Sequence, residues 1–325
     1  MAMAARTLSL PLPGVPIPSS ATYRQMHAQG FFGSVHRGEY RHSIVAVKML
    51  ETASVSDMEV AREAAIAERV ARHGSVLRFF GACIDGSLAH RCLVSEWCPR
   101  GSLEKSYRRN PSELFSKDGS TSTTATNGGP PLLGGGGAWT PRPERVLPLL
   151  FDAASGLMHL HKEGVLHRDI ACRNMLLHAV GGRDRLVICD FGLSKVGRGA
   201  RAGYYSASSE KVGACRWMAP ESLRAGHFSQ QTDVFSFGRA MLELVTRSRP
   251  FPLLEDNISV ALAAIGEGHP PAPAALRSDR FTAAVLDLAA QCCSGDPEQR
   301  IALDDCYEAL RRLGEIFSVA GVAIS

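Results

Sequence analysis

The sequence predicts an α+β chain of two lobes: a small β-rich N-lobe with one key helix, then a larger, mainly helical C-lobe. Three observations carry this. The stretch 44-IVAVKML-50 is a β-branched run of strand type in the first part of the chain. A helical stretch follows it, 58-MEVAREAAIAERVARHG-74, with apolar residues at helical spacing and Gly74 where a C-cap glycine would stand. Towards the C-terminus amphipathic patterns dominate, in 229-SQQTDVFSFGRAMLELVT-246, the 281-FTAAVLDLAAQCC-293 region and 303-LDDCYEALRRLGEIF-317.

The remaining segments fill this frame. Residues 1–21 contain MAMAARTLSLPLPGVPIPSS, which carries Arg6 and no acid. That composition suits an organelle transit peptide or a disordered Pro-rich lead-in, and the second is expected. From about Ala21 to Ser87 a Gly-rich turn, a strand, the helix and further strand follow, and the strand ending 93-LVSEW-97 leads into the turn-like 98-CPRGS-102. Residues 111–143 change character, with TSTTATNGGPP followed by LLGGGGAWTPRP. Such a tract buries too little apolar surface to offset the entropy of ordering it, so a flexible surface insertion is expected. After it, 144-ERVLPLLFDAASGLMHLHKEG-164 reads as a long apolar helix, weakened by Pro148 only in its first turns, and short strands are expected around 175-MLL-177 and 186-LVIC-189.

Composition narrows the class of function. At 325 residues, 45% hydrophobic and 21% charged, the chain is ordinary globular material and long enough for two cores. A net charge of +4 and a pI near 8.6, without a Lys/Arg block, argue against a nucleic-acid partner. The nine cysteines form no CxxC pair and no Cys/His cluster at zinc spacing, so a reducing, cytoplasmic setting is expected. No apolar run reaches the roughly 18 residues of a membrane span.

Four stretches carry chemistry. In 28-AQGFFGSVHRG-38, glycines let a hairpin approach a polyphosphate, and Lys48 at the end of 45-VAVK-48 can bring charge to it. By itself a Gly-x-x-Gly is a common hairpin, and a strand lysine can simply extend to solvent. Glu63, in the helical stretch, can orient Lys48 by charge pairing. Asp190 in 189-CDFGLSK-195 follows an apolar strand, where a carboxylate can hold a divalent metal or merely end a turn. The fourth stretch, 165-VLHRDIACRNMLLH-178, sets Asp169 and Asn174 among His167, Arg168 and Arg173.

The order and spacing of these pieces, with 217-WMAPES-222, 233-DVFSFG-238 and Arg300 after Asp296 and Pro297, resemble a protein kinase domain over residues 22–312. The resemblance is to the tyrosine kinase and tyrosine-kinase-like group. It implies an N-lobe over about 22–95, a hinge at 96–101, a C-lobe over 102–312 containing the insertion, and a C-terminal tail at 313–325. It also implies ATP and Mg2+ as cofactors and a protein substrate. Lys48 would contact the α- and β-phosphates and Glu63 would hold it. Asn174 and Asp190 would bind the metal, and Asp169 would accept or orient the substrate hydroxyl. Ala28, Gly30, Phe32, Gly33, Val35, Ala46 and Leu176 would enclose the nucleotide. Backbone around Glu96 to Cys98 would meet adenine, with Ser95 at the gatekeeper position.

The chain departs from the family pattern in places. Ala28 stands where the first loop glycine is usual and His27 where an apolar residue is usual. Phe235 replaces a Trp. Ala67 is small where Leu or Met is usual, which would loosen the key helix and lower basal activity. For the acceptor, Ala171 stands where serine/threonine kinases carry Lys, and Asp169-Ile-Ala-Cys-Arg173-Asn174 resembles the tyrosine-kinase form, with Arg173 taking the neutralising role. Against this, Ala214 is not the Pro usual in tyrosine kinases, and the tyrosine-kinase-like serine/threonine enzymes share the Arg-Trp-Met-Ala-Pro-Glu run. Tyrosine is the expected acceptor, with serine/threonine or dual specificity as the alternative and a pseudokinase scaffold as a third reading. Tyr204 and Tyr205 in 203-GYYSASSE-210 resemble an autophosphorylation site. A second copy would then be a trans-autophosphorylation partner, and Arg168 would pair with the phosphate.

Overall fold

The computed structural model describes residues 6–7, 22–30, 33–50, 56–85, 90–117, 139–181, 183–196, 215–267 and 274–319. The N-lobe is a six-stranded antiparallel sheet in the order β1-β2-β3-β4-β6-β5, formed by Arg6–Thr7, Thr22–Gly30, Gly33–Tyr40, Ser43–Leu50, Phe79–Asp85 (β5) and His90–Glu96 (β6). Register decides what each face carries, because partners across a ladder share a face and neighbours along a strand do not. Val35 pairs with Lys48 and Lys48 with Leu93, while Ala46 pairs with Ser95. These five residues therefore face one way. Val45, Val47 and Met49 face the other way and are buried with Tyr40, Cys92 and Val94.

Helix α1, Asp57–Val70, covers the first face through a cluster of Leu50, Val60, Ala64, Ala82 and Leu93. A capping box starts it. Ser56 Oγ accepts from the Glu59 N–H at 3.3 Å, and Glu59 Oε2 accepts from the Ser56 N–H at 2.9 Å. The helix ends earlier than its apolar pattern predicts. Ala71 is the C-cap in right-handed geometry, and Gly74 lies beyond it in a turn in which the Val76 N–H bonds the His73 carbonyl at 3.1 Å.

The C-lobe is built on helices α2 (Leu103–Arg109), α3 (Pro143–Lys162), α4 (Pro220–Ala225), α5 (Gln230–Thr246), α6 (Asn257–Glu267), α7 (Arg280–Cys292) and α8 (Leu303–Ile316). Three antiparallel strand pairs complete it: β7 (Phe115–Lys117) with β8 (Trp139–Pro141), β9 (Val165–Leu166) with β12 (Lys195–Val196), and β10 (Met175–Val180) with β11 (Arg183–Ile188). One large core runs through α3, α5, α7 and α8 and includes Ile66, Ala67 and Val70 of α1. Pro148 lies inside α3 without ending it.

Several expectations change here. The lead-in is not wholly without structure, since Arg6 and Thr7 pair with Tyr23 and Thr22; residues 1–5 and 8–21 lie outside the described residues. The two ends of the 111–143 insertion are ordered. Leu114 and Phe115 are buried, and the Arg247 guanidinium stacks 5.6 Å from the Phe115 ring and 5.2 Å from the Trp139 ring. These apolar anchors outweigh the tract's polar composition, whose middle, 118–138, is not described. The described part of the C-terminal tail, to residue 319, packs: Phe317 meets Phe281 edge-on at 5.3 Å and Val319 is buried. The apolar pattern predicts no helix at α2, α4 or α6. The first buries only Leu103, Ser106 and Tyr107, and the second is a single Pro-started turn closed by Gly226 at φ 63°.

Gly238 marks where α5 and α7 touch. A Cβ there would lie 2.6 Å from Cys292 Cβ and 2.9 Å from the Ala289 carbonyl oxygen. Gly238→Ala is expected to destabilise the fold by roughly 1–3 kcal/mol through overpacking, read as a lowered melting temperature. An unchanged melting temperature would show that the helices separate freely.

Candidate active site

Three charged side chains from distant parts of the chain meet in the cleft. Lys48 Nζ lies 2.8 Å from Glu63 Oε1 and 2.8 Å from Asp190 Oδ1. Burial by itself favours a neutral amine, yet the two carboxylates outweigh it and hold Lys48 above the ordinary lysine range. Burial likewise pushes the Asp190 carboxyl up, and the charge and hydrogen bond of Lys48 more than reverse this, leaving it below the usual carboxylate range. Asp190 adopts φ 68°, a left-handed conformation that costs a non-glycine residue on the order of 1 kcal/mol. Gly192 follows it because a Cβ there would come 3.2 Å from Glu63 Oε2.

The loop between β9 and β10 is fixed from below by Asp233 on α5, which is fully buried. Its Oδ2 accepts the His167 N–H at 2.9 Å and His161 Nε2 at 3.0 Å; its Oδ1 accepts the Arg168 N–H at 2.8 Å. Burial pushes this carboxyl up, but these bonds and the nearby histidines hold it down. His167 is buried, accepts the Asp169 N–H on Nδ1 at 3.2 Å and therefore donates from Nε2 to the Cys189 carbonyl at 3.1 Å. That bond ties the loop to the strand end that presents Asp190. Its ring also meets Phe191 edge-on at 5.6 Å.

Asp169 is held on both sides. Arg173 Nη2 donates to its Oδ1, and Asn174 Nδ2 donates to its Oδ2 at 2.7 Å and to its main-chain oxygen at 2.8 Å. The Arg173 guanidinium lies over the Trp217 ring, 4.3 Å from the centroid. Arg168 takes φ 68°, donates to the Leu193 carbonyl at 3.4 Å and stacks 3.7 Å from the Phe228 ring.

These groups line one cavity of about 340 Å³. Val35, Ala46, Ser95, Glu96, Cys98 and Leu176 form its walls together with Lys48, Glu63, Arg173, Asn174 and Asp190. Asp169 stands at the edge of this set, bonded to two of its members. Ala28 pairs with Val35 and Gly30 with Gly33 in the hairpin above, while Phe32, Tyr204 and Tyr205 lie outside the described residues. Ala67 lines the same cavity as Leu77, Phe79 and Phe191. Phe79 packs against both the large core, to which Ala67 belongs, and the cluster beneath α1.

Ser102, Glu104 and Lys105, which also line the cavity, carry no role in the sequence pattern, and neither does Asp233 although its motif was noted. For Asp233 the available signal was a carboxylate beside the Val234, Phe235 and Phe237 of a helix rich in apolar residues.

Two outcomes follow. Asp190, held low, contributes stability that is present above the ordinary carboxylate pKa and lost as pH falls through its depressed value. Lys48, held high, contributes stability that is lost only as pH rises above the ordinary lysine value. The stability difference between the parent and a variant with Lys48→Met, Glu63→Gln and Asp190→Asn, which leaves no buried acid without its cation, is therefore expected to stay flat from about pH 5 to 9, and a slope across that range in denaturant titrations would contradict the pairing. Burial pushes the Cys98 thiol up to about 12, with the Glu96 carboxylate adding to it, and burial pushes Cys189 well above its usual range. Peptide mapping after iodoacetamide at about pH 7.5 is expected to find both unlabelled in the native protein and labelled after denaturation. Rapid native labelling would show that they open to solvent.

Residues 22–310 match the family model described as protein tyrosine and serine/threonine kinase. The chain is 29% identical, over 86% of its own length and 11% of the relative's, to the dual specificity protein kinase splA of Dictyostelium discoideum. It is 26% identical to the serine/threonine/tyrosine-protein kinase HT1 of Arabidopsis thaliana, over 89% of this chain and 65% of that one. It is 32% identical to the serine/threonine-protein kinase CTR1 of the same plant, over 73% and 25%. The chain thus spans less than two thirds of the length of each of these relatives. With the model matched across nearly its whole length and the cleft assembled as above, this chain belongs to the protein tyrosine and serine/threonine kinase family.

Proposed function

We propose that the cleft transfers the γ-phosphoryl group of Mg-ATP to a protein hydroxyl, with tyrosine as the preferred acceptor. The observation that carries the acceptor preference is Arg173, which reaches Asp169 while resting on Trp217, beside a buried Ala171 where a lysine would otherwise stand. A guanidinium placed there neutralises charge from the side, with no lysine at position 171. The lobes divide at a hinge over residues 96–101, where backbone from Glu96 to Cys98 meets adenine and Ser95 leaves room behind it.

Lys48, kept charged by its two carboxylates, grips the α- and β-phosphates, and Glu63 keeps it from swinging away. Asn174 spends its amide N–H groups on Asp169, which leaves its carbonyl oxygen as an acceptor beside Asp190. Among the described residues no cluster of three His, Cys, Asp or Glu could hold a metal alone. The pair nevertheless fits magnesium, which keeps waters and takes phosphate oxygens alongside one or two protein ligands. When bound there it supplies charge neutralisation at the phosphates. Asp169 orients the acceptor O–H and takes its proton as the oxygen bonds to the γ-phosphorus and the bond to the β-bridging oxygen breaks. The rest is positioning and electrostatics.

A second reading, dual specificity, is favoured by the names of the relatives, two of which carry serine/threonine and tyrosine or dual specificity in them. Tyr204 and Tyr205 are proposed as sites of phosphorylation in trans by a second copy, and the setting as cytoplasmic. Among the described residues no helix is long and apolar enough to cross a membrane.

Phosphoamino-acid analysis after incubation with Mg-ATP, alone and with poly(Glu,Tyr) or a basic protein, is expected to show phosphotyrosine. Asp169→Asn is expected to lower the turnover by roughly 10²–10⁴-fold. Phosphoserine and phosphothreonine alone would overturn the tyrosine preference. No transfer at all, with Asp169→Asn indistinguishable from the parent, would leave only the scaffold reading.

A further inference from the structure

Glu243 lies on α5, 1% exposed, and accepts hydrogen bonds from three separate parts of the chain. Tyr107 Oη of α2 donates to its Oε1 at 2.9 Å. The Trp217 indole N–H, ahead of α4, donates to its Oε2 at 2.9 Å, and the Cys172 main-chain N–H donates to the same oxygen at 3.1 Å. Burial pushes this carboxyl up and the three donors only partly restrain it. A carboxylate this deep is costly unless its acceptors are filled, and here they are.

The partners are what make Glu243 more than a satisfied core group. Trp217 is the plate on which the Arg173 guanidinium rests, and the same guanidinium holds Asp169. Cys172 immediately precedes Arg173, so one buried carboxylate fixes both the backbone from which Arg173 projects and the aromatic face that supports its tip. A long, flexible side chain can hold a reacting carboxylate only if its own rotamer is held. Arg216, next to Trp217, braces the plate from the other side by donating to the carbonyls of Pro250 at 3.0 Å and Phe251 at 2.7 Å.

We propose that Glu243 is a positioning residue for phosphoryl transfer, setting Asp169 through Trp217, Cys172 and Arg173. This rests on reading the cleft as a phosphotransferase site, and the test separates the two. Turnover, the ATP KM and hydrogen exchange over residues 168–174 would be measured for the parent, Glu243→Ala, Glu243→Gln, Trp217→Phe, Arg173→Ala and the double variant Glu243→Ala/Arg173→Ala. Gln can offer its carbonyl oxygen to Trp217 and Cys172 and donate to Tyr107 Oη, so it keeps the geometry without the charge.

The proposal expects Glu243→Ala to lower kcat by about 10–100-fold with the ATP KM held within about three-fold, because the lost interaction acts in the transition state rather than on nucleotide binding. Glu243→Gln should recover most of that loss and Trp217→Phe should lose part of it. The double variant should be no worse than Arg173→Ala alone, since both act along one path. Exchange over 168–174 should rise in Glu243→Ala and stay near the parent in Glu243→Gln. Losses that multiply in the double variant, a Gln variant as poor as Ala, or unchanged exchange would overturn it. If Glu243→Ala does not fold, Glu243→Gln and Trp217→Phe decide on the same readouts. If the parent itself transfers no phosphate, the phosphotransferase reading fails, and unchanged exchange in Glu243→Ala would still overturn the hold on the loop.

Discussion

The carboxylate of Asp233 holds the loop between β9 and β10 in a conformation the loop would not keep alone. Arg168 must sit at a left-handed φ, and His167 must turn its ring to bridge Asp169 and the Cys189 carbonyl. Both consecutive N–H groups, His167 and Arg168, point at one buried acid, and a third donor, His161, fills the site. The acid can be this demanding because every residue of α5 from Thr232 to Val245 is buried. On such a helix an ionised group without partners costs several kcal/mol, so its geometry is imposed on whatever satisfies it. Glu243 obeys the same rule further along the helix. The two acids bracket the loop, one at Arg168 and one at Cys172, with Asp169 between them.

This division explains what the sequence made legible. The strand Val45–Lys48 alternates, and the period of two that put Lys48 on the opposite face from Val45 and Val47 is what the ladder registers show. Lys48, Glu63, Asp169, Asn174 and Asp190 were each identifiable by type, spacing and family resemblance, and the structure brings Lys48 to Glu63 and Asp190, and Asn174 to Asp169. The supports were much harder to read. Asp233, Arg239 and Glu243 break the apolar pattern of α5, and in a single sequence a charge on a helix reads as its solvent face. Only the tertiary environment reverses that reading.

The misplaced boundaries have the same origin. Apolar periodicity in α1 runs on past Val70, but the helix ends where the chain must turn to bring Leu77 onto the Ile188 carbonyl at 2.9 Å. The polar tract at 111–143 hides Leu114 and Phe115, which belong to the large core, and Trp139, which packs against it. The tail hides Phe317 and Val319 in the same way. Composition averages over a window, whereas burial is decided residue by residue.

The two halves of the site are held with unequal strength. The loop carrying Asp169 hangs on two buried acids of α5, Asp233 and Glu243. The Lys48–Asp190 contact joins residues 142 positions apart, through side chains 23% and 29% exposed, where solvent weakens ion pairing. Helix α1 divides its buried side chains between the large core, through Ile66, Ala67 and Val70, and a cluster of five small or medium side chains, two of them alanines. Motion of α1 would therefore break the Lys48–Glu63 contact while leaving Asp169, Arg173 and Asn174 in place. The cleft therefore yields most easily at α1, because the loop that carries Asp169 is the part the core does not release.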